Sequence, residues 1–152
     1  MKKFLATFGI ALALISVNTY GRTYIYVSAG ENHVVWLDKQ TVIKDGNFRY
    51  AWSYVYNADK DEFRGLREEY DCKLRRISLM AVNYLTPNGK IKSSRQWDDT
   101  EWHSPMPDTL GEDKVNVVCG KANPKNQYDF ASLLDLYDIS KGLVDDLNKS
   151  EK

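Results

Sequence analysis

The stretch "IKDGNFRYAWSYVYN", Ile43 to Asn57, carries the clearest structural signal in the sequence. After the turn residues Gly46 and Asn47, a large aromatic side chain occupies every second position. Alternate residues of a strand point to opposite faces of a sheet, so this pattern predicts a strand with one aromatic face. The aromatic face comprises Phe48, Tyr50, Trp52, Tyr54 and Tyr56, and the opposite face carries Arg49, Ala51, Ser53 and Val55.

This aromatic row has two interpretations. Stacked rings on an exposed sheet form a platform for sugars, peptides or flat cofactors. Large aromatic side chains are more often buried, so a core lying beneath a helix is the favoured interpretation. In either case Tyr54 and Tyr56, near the end of the strand, are expected to be its more exposed members.

A second alternating run, "LREEYDCKLR", extends from Leu66 to Arg75. Charged residues occupy one face of this predicted strand, and Cys72 lies on the other face although its sequence neighbours are charged. The inward face comprises Leu66, Glu68, Tyr70, Cys72 and Leu74. Further strands are predicted over residues 23–28, 33–38, 77–85 and 90–97, the last two joined by a Pro-Asn-Gly turn.

Helical patterns follow the predicted strands. A short helix is predicted to begin at Asp108 or Thr109, which are good N-cap residues, and to end at Cys119. A second apolar stripe at helical spacing runs from about Asp129 to Leu147, with Gly142 as a potential break. The predicted fold class is α+β: an antiparallel meander sheet of about six strands with a C-terminal helix tied to it by a disulfide.

The N-terminus reads as a secretory signal peptide over residues 1–21. Two lysines precede an apolar run from Phe4 to Val17, which is shorter than the roughly 18 residues of a membrane-spanning helix. Cleavage after Gly21 removes Lys2 and Lys3, so 21 basic against 21 acidic residues become 19 against 21, a net charge of −2. This balance does not favour a nucleic-acid partner, and no transmembrane segment is expected.

The two cysteines, Cys72 and Cys119, are expected to pair because the predicted compartment is oxidising. Neither lies in a CxxC motif or within four residues of a histidine, so a structural disulfide is favoured over redox chemistry. The two histidines, His33 and His103, lie in no nucleophile motif. The sequence therefore predicts a non-enzymatic protein without a cofactor.

Two clusters of oxygen-bearing side chains suggest metal sites. The first has the spacing of positions 1, 3, 5 and 12 of a calcium loop, but Glu62 stands where the sharp turn requires glycine, so a solvated hairpin is favoured. The second, "DDTEWH", lacks enough imidazoles for the usual zinc sets. The first set is Asn57, Asp59, Asp61 and Glu68; the second is Asp98, Asp99, Glu101 and His103.

The order of three segments, "DGNFRYAWSYVYN", "EEYDCKLRRISLMAVNYLTPNGK" and "EWHSPMPDTLGEDKVNVVC", resembles the surface-adhesin protein E family over roughly Tyr24 to Gly120. The resemblance implies a bacterial exported domain in which a disulfide ties an antiparallel sheet to a helix. It divides the mature chain into an adhesin E-like domain, residues 22–120, and a C-terminal helical extension, residues 121–152. The family's best-known member is a lipoprotein, but no cysteine follows this signal peptide, so lipoprotein anchoring is not expected.

The predicted function is therefore adhesin-like recognition of a host or cell-envelope macromolecule by a protein of the periplasm or cell surface. The alternative is a periplasmic inhibitor of a lysozyme-type, cell-wall-degrading enzyme. Tyrosines and basic residues contribute strongly to protein interfaces, and a homodimer is compatible with both interpretations. The predicted ligand-binding residues are Tyr54, Tyr56, Lys73, Arg75, Lys90 and Lys92.

Overall fold

The computed structural model of the protein describes residues 21–98, 101–120 and 126–150. Within them lie strands β1 (Arg22–Gly30), β2 (His33–Asp38), β3 (Ile43–Asp45), β4 (Phe48–Asn57), β5 (Glu62–Asp71), β6 (Arg76–Leu85), β7 (Ile91–Gln96) and β8 (Gln127–Phe130), and helices α1 (Leu110–Val118) and α2 (Leu133–Ser150). The strands form one antiparallel sheet in the order β7-β6-β5-β4-β2-β1-β8, and β3 pairs with the beginning of β4.

The predicted fold class is confirmed, with eight strands in place of about six. The two unpredicted strands are β3 and β8, which have only three and four residues. The second predicted helix was wrong at its start, because Gln127–Phe130 pairs with β1 in the sheet and α2 begins at Leu133. Helix α2 then continues without a break through Gly142.

The predicted pairing of the two cysteines is confirmed by a Cys72–Cys119 disulfide with an S–S distance of 2.03 Å. Cys119 is the C-cap residue of α1. The disulfide therefore ties the sheet to α1, and the expectation that it ties the C-terminal helix was wrong.

The strand predicted to run from Leu66 to Arg75 ends earlier, at Asp71. The carboxylate of Asp71 accepts hydrogen bonds from the backbone N–H groups of Lys73 and Leu74, which closes a turn. Arg75 then adopts a left-handed backbone conformation with φ of 54°. Cys72 lies in this turn. Of its two charged neighbours, Asp71 is the last residue of β5 and Lys73 lies in the turn.

The sheet is covered on both faces. Tyr54 and Tyr56 belong to a core that includes Leu136 and Val144 of α2. Ala51 projects to the opposite face of β4, into a second core formed with α1. The second core consists of Ile25, Leu37, Ala51, Tyr70, Val115 and Val118.

Helix α1 is joined to the sheet by a buried ion pair as well as by the disulfide. Lys114 Nζ lies 2.6 Å from Glu68 Oε1, and both side chains are buried. The other carboxylate oxygen of Glu68 accepts hydrogen bonds from Ser53 and Tyr70 at 2.7 and 2.9 Å. A charged pair buried with this set of partners costs less than an isolated charge, so the network fixes the position of α1.

Helix α2 is held by apolar packing and by hydrogen bonds from side chains. The indole N–H of Trp36 donates to Ser140 Oγ at 2.8 Å in the interior. At the turn between β4 and β5, Asp61 Oδ1 accepts hydrogen bonds from Tyr137 and Tyr56 at 2.7 and 3.1 Å. Helix α2 therefore covers the part of the sheet nearest to this turn.

Candidate binding groove

Helix α2 leaves part of its sheet face open, and two adjoining cavities lie there on either side of Trp52. Both are bounded by Trp52 and Thr41, and we call them together the Trp52 groove. The first, of about 240 Å³, is lined by Arg22, Thr41, Trp52, Tyr54 and Asn83. The second, of about 260 Å³, is lined by Gln40, Thr41, Ile43, Tyr50, Ala51, Trp52 and Arg67.

Curvature of the sheet creates the first cavity. Arg22 lies on β1 and Asn83 on β6, and three strands stand between them in the order of the sheet. Both side chains nevertheless line one small space, so the sheet bends around Trp52. The rings of Tyr54 and Trp52 lie over Gly65, where a Cβ atom would be in ordinary van der Waals contact with them at 3.4 and 3.6 Å.

The groove carries two arginines in different states. Arg67 is exposed, stands opposite Trp52 in the β4–β5 register, and has no side-chain hydrogen bond or ion pair within the described residues. Arg22 Nε lies 3.3 Å from Asp38 Oδ2, and the Asp38 side chain is fully buried. Burial raises the pKa of Asp38 and Arg22 opposes that shift. Arg22 is therefore partly neutralised, whereas the charge of Arg67 is available to a ligand.

The amide side chains of the groove present donors. Gln40 Oε1 accepts the backbone N–H of Thr23 at 3.0 Å, and Asn83 Oδ1 accepts the hydroxyl of Ser94 at 2.7 Å. Each carbonyl oxygen already accepts one hydrogen bond, whereas neither NH₂ group donates one within the described residues, so the NH₂ groups are the more available parts of Gln40 and Asn83 for a ligand.

The Thr41 hydroxyl of the groove is already used. Thr41 donates to the backbone oxygen of Asp38 at 2.8 Å and accepts the N–H of Trp52 at 2.9 Å. The carboxylate of Glu69, which faces Tyr50 across the β4–β5 register, raises the pKa of Tyr50. Glu69 therefore stands at the side of the groove.

A third cavity, of about 300 Å³, lies between β8 and α2. Its lining contains no charged side chain. It is mainly apolar, and the only polar side-chain groups of its lining are an amide, an indole N–H and tyrosine hydroxyls. The lining residues are Tyr26, Trp36, Asn126, Tyr128, Phe130, Ile139 and Leu143.

The expectation that Tyr54 and Tyr56 are the exposed aromatic residues was wrong. They are only 8% and 3% exposed because α2 covers their half of β4. Tyr50 and Trp52 are half-buried and line the groove. The aromatic row is therefore buried at one end and partly exposed at the other. The core interpretation applies to Tyr54 and Tyr56, and the platform interpretation applies to Tyr50 and Trp52.

The predicted basic residues do not come together. Lys73 and Arg75 precede β6, whereas Lys90 and Lys92 follow it, and the ten residues of β6 between them span roughly 30 Å. Arg75 also donates to Asn116 Oδ1 of α1 at 2.7 Å. These four residues therefore form two separate pairs at opposite ends of β6.

The candidate calcium ligands point to separate partners. Glu68 is paired with Lys114 on the α1 side of the sheet, while Asp61 accepts from two tyrosines on the α2 side. Asp59 accepts from the Asn32 amide at 2.6 Å. Asn57 Oδ1 accepts the backbone N–H of Lys60 at 3.1 Å. The spacing resembled a calcium loop, but the strand carries Glu68 away from the turn.

The second metal candidate is not assembled either. Asp98 and Glu101 are exposed, His103 Nε2 lies 4.0 Å from Glu101 Oε2, and Asp99 lies outside the described residues. Across the described ranges, no group of three or more His, Cys, Asp or Glu side chains is close enough to hold a metal ion.

Arg67, Arg22 and Asn83 were not predicted as site residues. Arg67 had a detectable signal, because it occupies the charged face of the predicted strand that follows the aromatic row in the sequence. Arg22 and Asn83 had none, since their closeness depends on how the sheet curves.

Comparison with known proteins agrees with this architecture. The family model described as "Surface-adhesin protein E" matches residues 24–120, which is more than half of the chain. The chain belongs to the surface-adhesin protein E family. The matched range contains every residue of the Trp52 groove except Arg22, and it ends before β8 and α2.

A solved structure of similar fold is that of crystal form II of Haemophilus influenzae protein E. It has a TM-score of 0.50 and 10% sequence identity, over 64% of this chain and 87% of that chain. At this identity the likeness concerns the fold alone. No curated protein matches the chain. In the described part of the present chain, neither α1 nor α2 is both long and apolar enough to cross a membrane.

Proposed function

We propose that this protein is an adhesin-like, non-enzymatic binding protein that recognises a host or cell-envelope macromolecule through the Trp52 groove. The observation that carries the proposal is the groove itself: an open, aromatic-floored depression with an unpaired arginine, inside the part of the chain that matches the adhesin family. Family membership supports the adhesin-like role, and the groove supplies a surface on which it can operate.

The composition of the groove suits binding. Tryptophan, tyrosine and arginine supply interface energy out of proportion to their number, and Trp52, Tyr50 and Arg67 stand side by side here. Arg67 forms no ion pair in the described structure, so a partner that neutralises it breaks no existing contact. By contrast, the buried tyrosines Tyr54 and Tyr56 contribute to the stability of the sheet.

The proposed site of action lies outside the inner membrane. Residues 1–20 lie outside the described residues, and the predicted signal peptide, residues 1–21, remains a prediction. We expect the exported protein to begin at Arg22, with the adhesin E-like domain at 22–120 and the extension at 121–152. N-terminal sequencing of exported protein tests this expectation, and a first residue at Met1 would contradict it.

The binding proposal is tested with the disulfide-bonded protein, immobilised and exposed to matrix glycoproteins, cell-envelope extracts and a lysozyme-type enzyme. Reversal of the groove charge by Arg67→Glu should weaken capture of the recognised macromolecule by about tenfold or more, since it removes a charge-assisted contact. The control is Lys44→Glu, an equal charge change at an exposed position of β3 that shares the Arg49 face of the sheet.

Equal weakening by both substitutions would mean that overall charge, not the groove, governs binding. Binding that is unaffected by Arg67→Glu would remove the groove from the proposal. Tight binding of the lysozyme-type enzyme alone would replace the adhesin proposal with the inhibitor alternative.

A further inference from the structure

We infer that the ligand of the Trp52 groove is an acidic saccharide, a chain of pyranose rings that carries carboxylates. The inference rests on the proposed function and names the chemistry that the groove would recognise in a partner. It follows from the polar groups that the groove presents, the size of its two cavities and the strands that form its floor.

Most of the polar groups that remain free in the groove are donors. Arg67 and Arg22 carry guanidinium groups, which have no acceptor, and the free parts of Gln40 and Asn83 are NH₂ groups. The hydroxyl of Thr41 already donates and accepts. A matching ligand must therefore supply acceptors, and the unpaired charge of Arg67 favours a carboxylate among them.

The floor of the groove is aromatic and the spaces beside it are small. The rings of Trp52 and Tyr50 provide flat apolar faces on which the C–H face of a pyranose can pack. The cavities, of about 240 and 260 Å³, lie just below the roughly 300–1,000 Å³ of pockets for drug-sized ligands. Each suits one small ring, and their common boundary at Trp52 suits two consecutive rings of a chain.

A peptide fits this surface less well than a saccharide. Extended peptides commonly bind by adding a strand to a free sheet edge. Strands β4 and β5 form the floor of the groove, and each is paired on both sides, β4 with β5 and with β2 or β3, and β5 with β4 and β6. The groove therefore offers side-chain donors and rings, and little backbone, to its ligand.

The experiment titrates the full disulfide-bonded protein with oligosaccharides of alternating glucuronate and N-acetylglucosamine. The matched ligand is the same oligosaccharide with its carboxylates converted to methyl esters. Calorimetry gives the affinity, and tryptophan fluorescence reports on the groove. The acid form should bind about tenfold or more tightly than the ester, because the charge-assisted bond to Arg67 is lost in the ester.

Three variants locate the contact. Arg67→Gln should weaken binding of the acid form by about tenfold or more, whereas Lys44→Gln, the same charge change outside the groove, should stay within about twofold. Trp52→Phe keeps a ring in place and should abolish the ligand-dependent change in fluorescence while the protein remains folded. Together these results would support the acidic saccharide.

Several results would overturn the inference. They are no binding of the acid form, equal binding of the ester, equal loss in Lys44→Gln, or Arg67-dependent binding of polyglutamate that is tighter than binding of the saccharide. In each case Arg67→Glu can still abolish capture of a macromolecule, and the proposed function would then stand with another ligand. If Arg67→Glu leaves that capture intact, the proposed function fails, whatever the saccharide does.

Discussion

The aromatic side chains in the two halves of β4 lie on the same face of the strand, but they have different surroundings. Tyr54 and Tyr56 are 8% and 3% exposed in the core beneath α2, and of the two only Tyr54 reaches the wall of the groove, whereas Tyr50 and Trp52 are half-buried and form its floor. Alternation assigns the face of a residue. The cover above that face, supplied by a helix 80 residues later in the chain, decides whether the residue is core or surface.

The largest expected difference between the two halves is in stability. Tyr54→Ala should lower the free energy of unfolding by about 3 to 5 kcal/mol, because it leaves a cavity among Tyr24, Phe63 and α2. Tyr50→Ala should cost less than about 1 kcal/mol, since its ring already faces solvent in part. Urea unfolding of both variants checks this, and equal costs would break the comparison.

The next effect concerns the opposite face of the sheet. Cys72→Ser should lower the free energy of unfolding by about 2 to 4 kcal/mol, because the reduced loop regains conformational freedom in the unfolded chain. Hydrogen exchange should show that α1 loses protection while α2, which the disulfide does not touch, keeps it. Cys119→Ser serves as the matched variant, since it removes the same bond. Earlier exchange in α2 than in α1 would contradict the assignment of the disulfide to α1.

A smaller effect should come from the contact that holds α2 over the covered half. Hydrogen bonds from Tyr137 and then Tyr56 lower the pKa of Asp61. Asp61→Asn should reduce the free energy of unfolding by less than about 1 kcal/mol, because the carboxylate is largely solvated.

The pH dependence of this effect has a definite sign. A carboxyl group with a lowered folded-state pKa stabilises the protein above its ordinary pKa, about 3.9, and this contribution is lost as the pH falls through the folded-state value. The difference between the protein and Asp61→Asn should therefore be constant near neutral pH and shrink below about pH 4. Urea midpoints measured from neutral to acid pH test this, and a difference that grows in acid would exclude the contact.

The smallest effect is expected for basic residues far from the groove. Lys73→Ala and Lys90→Ala alter exposed side chains at opposite ends of β6 and should change binding of the recognised macromolecule by less than about twofold. Measurement at low and high salt separates general charge attraction from a specific contact. A large loss in either variant would restore the basic residues as the site in place of Arg67.

The sequence was sufficient for features that depend on near neighbours. The alternation in β4 and the turn residues before β7 placed those strands within a residue or two. Helix α1 was predicted from its candidate N-cap residues, Asp108 and Thr109. Thr109 is the N-cap in the structure, where its side chain accepts the backbone N–H of Glu112. Strand β8 was missed because its polar-aromatic alternation is only four residues long, and it forms a strand by pairing with β1, about 100 residues away in the chain.

The site was predicted in part and for the same reason. The aromatic row was identified as a candidate platform. Its exposed end was assigned to the wrong tyrosines because the alternation within a strand does not show which of its residues a distant helix covers. Arg67 joins the site through the β4–β5 register, in which it stands opposite Trp52. Arg22 joins through the curvature of the sheet, which no local pattern encodes.

The central claim, that the open half of β4 binds while the covered half supports the fold, is tested most directly by NMR of the indole N–H groups. Trp52 lies in the groove, and Trp36 is 2% exposed and hydrogen-bonded to Ser140 beneath α2. As the recognised macromolecule or its saccharide is added, the Trp52 indole resonance should shift or broaden while that of Trp36 stays in place. Movement of Trp36 with a stationary Trp52 would contradict the account.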